Sequence, residues 1–329
     1  MDGLSCLTGR FGPSGTPLFS ELTIMAKANF SGVLVPAITP YKPDLSVDAA
    51  LFGKVCHWLM AQGANGLAVF GTTSEANSLT NAERKSLLEG LVAGGIDPSV
   101  LLPGTGECSL MDTVDMTKHA VSLGCGGVLM LPPFYYKPVS DDGLFAFYSE
   151  VIERVGSSDL GLWLYHIPQM AGVGVPHDVI ERLVKRYPDT VLGIKDSSGN
   201  WENTETMLKR FPGFKIFPSS EGVLVKAMRL GAAGCITASG NINAANIRHL
   251  VDHWQDANAD ELQKPVAMVR DLFSKFPLIP AAKAFLSAEL NQPGLATLRP
   301  PLMALTQAQT DELRSSLKGA GHSFAPATF

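Results

Sequence analysis

Between Ser31 and Trp254 a short apolar run gives way to an amphipathic helical pattern eight times, mostly at a spacing near 30 residues. No other feature constrains the fold as strongly. Short apolar runs bounded by turn residues read as buried strands, and apolar positions three and four apart read as one helix face. The runs fall at 31–39, 66–71, 99–103, 126–131, 160–165, 191–195, 214–218 and 234–237. The helical patterns fall at 47–62, 80–93, 110–123, 141–155, 176–186, 201–211, about 221–230 and 244–254. Ser46 is expected to cap the first helix, Thr80 and Glu83 to form a capping box, and Pro176 to open its helix. Eight strand–helix pairs describe an α/β fold, the (β/α)8 TIM barrel. The rival, a doubly wound sheet, lacks its dinucleotide fingerprint: Gly104 and Gly106 are present, but Ser109 stands where the third glycine is wanted. After the barrel, helices are expected at about 261–273, 281–289 and 307–317, punctuated by Pro277, Pro280, Pro300 and Pro301. The expected organisation is an extension over 1–29, a barrel over 30–255, a C-terminal helical region over 256–318 and a disordered tail over 319–329.

Composition removes several classes of function. The formal charge is −5, and no basic block or aromatic–basic interleaving suggests nucleic acid. No apolar run reaches membrane-spanning length. The five cysteines are scattered, none forms a CxxC, and no His/Cys cluster has metal spacing. They read as reduced, mostly buried thiols of a cytoplasmic protein. The first 29 residues are rich in Gly, Pro, Ser and Thr and lack a secretory pattern. Residues 1–24 are expected to be loosely attached, with Met25 an alternative start.

Catalytic groups of a barrel sit at the C-terminal ends of its strands. Lys195 closes the sixth apolar run, on the same strand face as Gly193 and Val191, with room expected beneath it at Gly193. A strand-end lysine can snorkel to water. Alternatively it is desolvated, which disfavours its charged form, and a neutral amine attacks ketones to form a Schiff base. The other strand ends decide for the nucleophile. Gly71-Thr72-Thr73-Ser74-Glu75 clusters hydroxyls and N–H groups suited to a carboxylate. Tyr165 ends the neighbouring strand with a phenol, and Tyr135 and Tyr136 form an aromatic loop between prolines. His166 has no metal-spaced companion and reads as structural. Together these residues describe a site that holds a 2-keto acid, converts it to an iminium and shuttles protons beside it.

Gly71-Thr72-Thr73-x-Glu75, the Tyr135-Tyr136 loop, Tyr165-x-Ile167-Pro168, Gly193-Ile194-Lys195 and Gly234-x-Ile236, in this order, resemble the dihydrodipicolinate synthase / N-acetylneuraminate lyase family of class I pyruvate-dependent aldolases. The resemblance runs from about Ser31 to Leu317. It implies Lys195 as the Schiff-base lysine, Tyr165 as proton shuttle, Thr72 and Thr73 as carboxylate contacts with Thr72 also in the relay, and Tyr136 reaching a neighbouring subunit's site. It implies the Ile236 carbonyl in the pocket wall, a homotetramer built as a dimer of dimers, a helical C-terminal region, and no metal or organic cofactor. Two departures stand out. Ser74 replaces a glycine, which is tolerable if its φ is negative. Met170 stands where the synthases carry an arginine for the second substrate's carboxylate, and a thioether cannot replace a bidentate guanidinium. The expectation is therefore a lyase, aldolase or dehydratase of a 2-keto acid such as a 2-keto-3-deoxy sugar acid, with Glu221 a candidate for its hydroxyls. The alternatives are the synthase that condenses pyruvate with aspartate semialdehyde, and a keto-acid-binding regulator.

Overall fold

The computed structural model describes residues 29–324. Residues 1–28 of the extension expected over 1–29, Met25 and Cys6 included, and residues 325–329 lie outside them. The strands are β1 (Gly32–Val35), β2 (Gly66–Leu67), β3 (Val128–Met130), β4 (Leu162–His166), β5 (Val191–Asp196), β6 (Lys215–Pro218) and β7 (Gly234–Ile236). All pairings between them are parallel, in the orders β2-β1-β7 and β3-β4-β5-β6. Residues 101–104 join the two sheets: Leu102 N–H donates to the Leu67 carbonyl at 2.9 Å, and Leu129 N–H to that of Pro103 at 2.9 Å. On the other side Ala233 N–H donates to the Ile216 carbonyl at 3.0 Å, which brings β6 beside β7. Eight staves thus surround one lumen, as the periodicity predicts.

The third stave departs from a regular strand. Residues Pro98–Val100 form a 3-10 turn, and only isolated bridges at Leu101 and Gly104 remain. Pro103 has no N–H to give a ladder, so continuous pairing is not available there. Gly104 and Gly106 serve close packing: a Cβ on Gly104 would lie 2.1 Å from the Phe70 carbonyl oxygen, and one on Gly106 2.3 Å from Leu131 N. β2 ends at Leu67, short of the expected 71, and Phe70 bends the chain with φ +56°.

The helices outside the staves are α1 (Ala49–Ala61), α2 (Asn81–Ala93), α3 (Leu110–Ser122), α4 (Asp141–Val155), the short α5 (Pro168–Ala171), α6 (His177–Arg186), α7 (Trp201–Arg210), α8 (Leu224–Arg229) and α9 (Gly240–Asp252). Asp48, not Ser46, caps α1, accepting from Leu51 N–H at 3.0 Å; Ser46 bonds Asp44 instead. The Thr80–Glu83 capping box is present. Pro176 opens α6 as its N-cap, directly before the first residue His177. The helix expected from 221 begins as a 3-10 turn, Glu221–Val223, and α9 starts four residues before the expected 244 with a kink at Asn243.

Helices α10 (Ala259–Phe273), α11 (Leu278–Glu289) and α12 (Gln307–Gly319) follow, with α10 and α11 packed on α9. The expected disorder after 319 does not hold through Phe324, whose ring lies 5.5 Å from Trp58 and 5.3 Å from Phe285. Two buried clusters result. One fills the lumen: Phe30, Leu34, Leu129, Trp163, Phe217 and Ile236 are among its members. The other lies between staves and helices and runs without a break into Phe273, Phe285 and Leu313 of the C-terminal helices. Among the described residues no helix is long and apolar enough to cross a membrane.

Candidate active site

The β4–β5 register builds the site. Tyr165 pairs with Lys195 and Trp163 with Gly193, so a strand's two-residue alternation sends both pairs to the same face. That face is the lumen. Trp163 is fully buried, with Phe30 edge-on at 5.1 Å, and forms the floor. The room expected beneath Lys195 is filled by this indole: a Cβ on Gly193 would lie 2.5 Å from Trp163 Nε1 and 2.3 Å from the Lys215 carbonyl oxygen. The lysine therefore sits on an apolar floor, 4% exposed.

Lys195 Nζ donates to the Tyr165 hydroxyl at 3.2 Å and lies 4.4 Å from the centre of the same ring. With that oxygen accepting from the amine, the phenol proton is free to point to Thr72 Oγ1, also 3.2 Å away. Amine, phenol and threonine hydroxyl thus form one continuous chain across three strand ends. Thr73 is the next residue and is 8% exposed. Its turn is closed by Glu75 N–H donating to the Thr72 carbonyl at 3.0 Å. Thr39, which sequence reasoning passed over, anchors it from β1's side by donating to the Ser74 carbonyl at 2.7 Å. The left-handed residue of this turn is Glu75, with φ +58°; Ser74 is not among the positive-φ residues, so the condition for replacing glycine there is met. Ile236 is fully buried at the end of β7, in the cluster that contains Tyr165.

Glu221, and the Tyr135–Tyr136 loop expected at a neighbouring subunit's site, lie apart from this hydrogen-bonded chain. Tyr136 is 82% exposed and Tyr135 74%. Their rings meet each other at 5.5 Å, edge to face, and neither hydroxyl bonds the Lys195–Tyr165–Thr72 chain. Glu221 is fully buried and its carboxylate is already occupied, which corrects its expected part in binding hydroxyls. Thr237 Oγ1 donates to Oε2 at 2.6 Å, Ser239 Oγ donates to Oε1, and Arg270 stands 4.0 Å away. His166 Nδ1 accepts from Val175 N–H at 2.9 Å, and burial lowers its pKa, so a neutral structural imidazole is what the site holds.

Asp196 points off the lumen, accepting from Asn203 at 3.0 Å and Thr204 at 2.7 Å to anchor the start of α7. Burial pushes the Cys56, Cys125 and Cys235 thiols up, which makes them poor nucleophiles. Among the described residues no three His, Cys, Asp or Glu side chains group as a metal site.

Residues 29–320 match the model of the dihydrodipicolinate synthetase family. An uncharacterised DapA-like lyase of Chloroflexus aurantiacus is 32% identical over 287 residues, 87% of this chain and 95% of that one. A 4-hydroxy-tetrahydrodipicolinate synthase of Gluconacetobacter diazotrophicus is 30% identical, over 90% of this chain and 99% of its own length. The crystal structure of dihydrodipicolinate synthase from Agrobacterium tumefaciens superposes with a TM-score of 0.83 at 30% identity, covering 89% of this chain and all of that one. YagE of E. coli, solved in complex with pyruvate, shares the fold, with a TM-score of 0.81 at 23% identity. With the family model matched across nearly every described residue and a lysine, a phenol and a threonine hydroxyl in one chain at the barrel mouth, the protein belongs to the dihydrodipicolinate synthetase family and is an enzyme of its class I lyase type.

Proposed function

We propose that the chain is a Schiff-base lyase, aldolase or dehydratase of a 2-keto acid, with a 2-keto-3-deoxy sugar acid as the representative substrate. The observation that carries this reading is the continuous Lys195–Tyr165–Thr72 chain above an apolar floor. The Lys195 amine adds to the C2 carbonyl, and loss of water leaves an iminium. The iminium accepts the electron pair of the C3–C4 bond when that bond breaks. The C4 hydroxyl proton passes to the Tyr165 oxygen as the phenol proton passes to Thr72 and Thr72 gives its own hydroxyl proton onward toward solvent, and an aldehyde leaves. Return of a proton to C3 gives the pyruvate iminium, and water releases pyruvate from the amine. The substrate carboxylate is held by the hydroxyls and N–H groups at Thr72 and Thr73, with the Ile236 carbonyl in the wall. Pyruvate in the solved YagE complex supports this choice of keto acid. Four free thiols among the described residues, three of them buried and Cys108 exposed, fit a reducing cytoplasm.

The exposed Tyr135–Tyr136 pair is the reason to place the active form in an oligomer. Two adjoining aromatic rings at 74% and 82% exposure make the kind of apolar patch that marks an interaction surface. Tyr136 is assigned to the site of a second copy, within a dimer of dimers, where it extends the relay beyond Thr72.

The second substrate is read from the loop after Tyr165. Met170 is 67% exposed on α5 and offers no charge to a carboxylate. A panel of 2-keto-3-deoxy sugar acids and hydroxy-oxo acids, assayed for pyruvate release, is expected to contain a substrate. Condensation of pyruvate with aspartate semialdehyde is expected to be slower by at least about 100-fold, the worth of a lost bidentate pair. A faster rate with the semialdehyde would assign the chain to the synthases instead.

A further inference from the structure

The turn that carries Thr72 and Thr73 is not held by the barrel alone. Glu75 closes it, and its carboxylate meets the Lys283 ammonium of α11, with both side chains fully buried. Tyr41, also fully buried, stands beside the ammonium, its ring centre 4.4 Å from Nζ. The Arg299 guanidinium lies 4.7 Å from the same ring. From there it donates to the Ser78 carbonyl at 2.6 Å and pairs with Glu83. Helix α11 and the segment between it and α12 therefore grip residues 75–83 at several points.

Burial sets a desolvation cost against the attraction within this pair. Desolvation raises the Glu75 carboxyl despite the lysine beside it, and lowers Lys283 to about 8 despite the carboxylate. Both directions mean that each charged form is held at a cost relative to water. A buried ion pair that costs stability is expected to contribute geometry instead.

We infer that Lys283 is a positioning residue: paired with Glu75, it fixes the Thr72–Glu75 turn, so that the C-terminal helices set the affinity for the keto-acid carboxylate. The inference rests on the proposed part of Thr72 and Thr73 in holding that carboxylate. Above about pH 8 the lysine loses its proton, and the groups facing it are Glu75, Tyr41 and Arg299, with Glu83 behind Arg299.

The test is the pyruvate dependence of borohydride trapping on Lys195, read by intact mass from pH 6.5 to about 9. Lys283→Met alone leaves a buried unpaired carboxylate, so Glu75→Gln/Lys283→Met is made alongside it. The double variant is expected to melt no lower than the wild type. Its half-saturating pyruvate concentration is expected to rise about tenfold, while the trapping rate at saturation stays within about twofold. In the wild type half-saturation is expected to rise as pH passes about 8, and this rise is lost in the double variant. A variant that saturates at the wild-type concentration with the wild-type pH dependence would overturn the inference alone. A wild type that forms no adduct at any pyruvate concentration would overturn the parent reading, and this inference with it.

Discussion

Tyr165 and Lys195 owe their contact to one register. Tyr165 pairs with Lys195 across β4 and β5, and a slip by one residue would turn one of them out of the lumen. Replacing Tyr165 with Phe keeps the ring over the floor and removes the relay oxygen. Turnover of the substrate found in the keto-acid screen is expected to fall about 10²–10⁴-fold, with the fold unchanged by circular dichroism. A loss under about tenfold would remove Tyr165 from proton transfer. The residues of this chain were legible in the sequence because strand ends of a barrel are where catalytic groups belong. What lay beneath them was not. Gly193 suggested empty space, but the space belongs to Trp163, whose register with Gly193 no local pattern states. Glu221 failed for a related reason. A polar residue after a strand looks available, and only the fold shows Thr237 and Ser239 already bound to it.

Elements with a strong 3.6-residue period were legible almost to the residue: α4 spans Asp141–Val155, the range expected. Short staves were not. β2 keeps two residues of its apolar run, and the third stave keeps only bridges, because Phe70 turns left-handed and Pro103 cannot donate. The connections between elements were least legible of all, since Lys283 meets Glu75 across 208 positions. One such connection makes a pH prediction. Hydrogen bonds from Arg299 hold the Glu83 carboxyl down at about 2, against an ordinary value of 4.5. A depressed carboxyl contributes stability that is complete above about 4.5 and is lost as pH falls toward 2. Glu83→Gln keeps the capping box and removes the charge. Because the pair is partly exposed and screened by solvent, the loss is expected to be at most about 1 kcal/mol at pH 7, with a flattened acid limb of urea midpoint against pH. An unchanged limb would show that the Glu83–Arg299 pair does not tie the C-terminal segment to α2.

At the scale of the molecule, one chain supplies a lysine, a phenol and the turn proposed to hold a carboxylate, while its exposed Tyr135–Tyr136 pair hydrogen-bonds none of them. That mismatch is the argument for assembly. Light scattering is expected to find a tetramer, and Tyr136→Phe to lower turnover at least about tenfold without changing that mass. A fully active monomer would count against the shared site. Tyr135→Phe, made in parallel, separates the two rings. The proposed chemistry depends on a covalent bond at Lys195, and that bond can be read directly. The protein is incubated with pyruvate and borohydride and weighed intact, beside Lys195→Ala. The account predicts one reduced pyruvyl adduct per chain, mapped to Lys195 by peptide mass and missing from the variant. An unmodified wild type, or an equal adduct on Lys195→Ala, would contradict it.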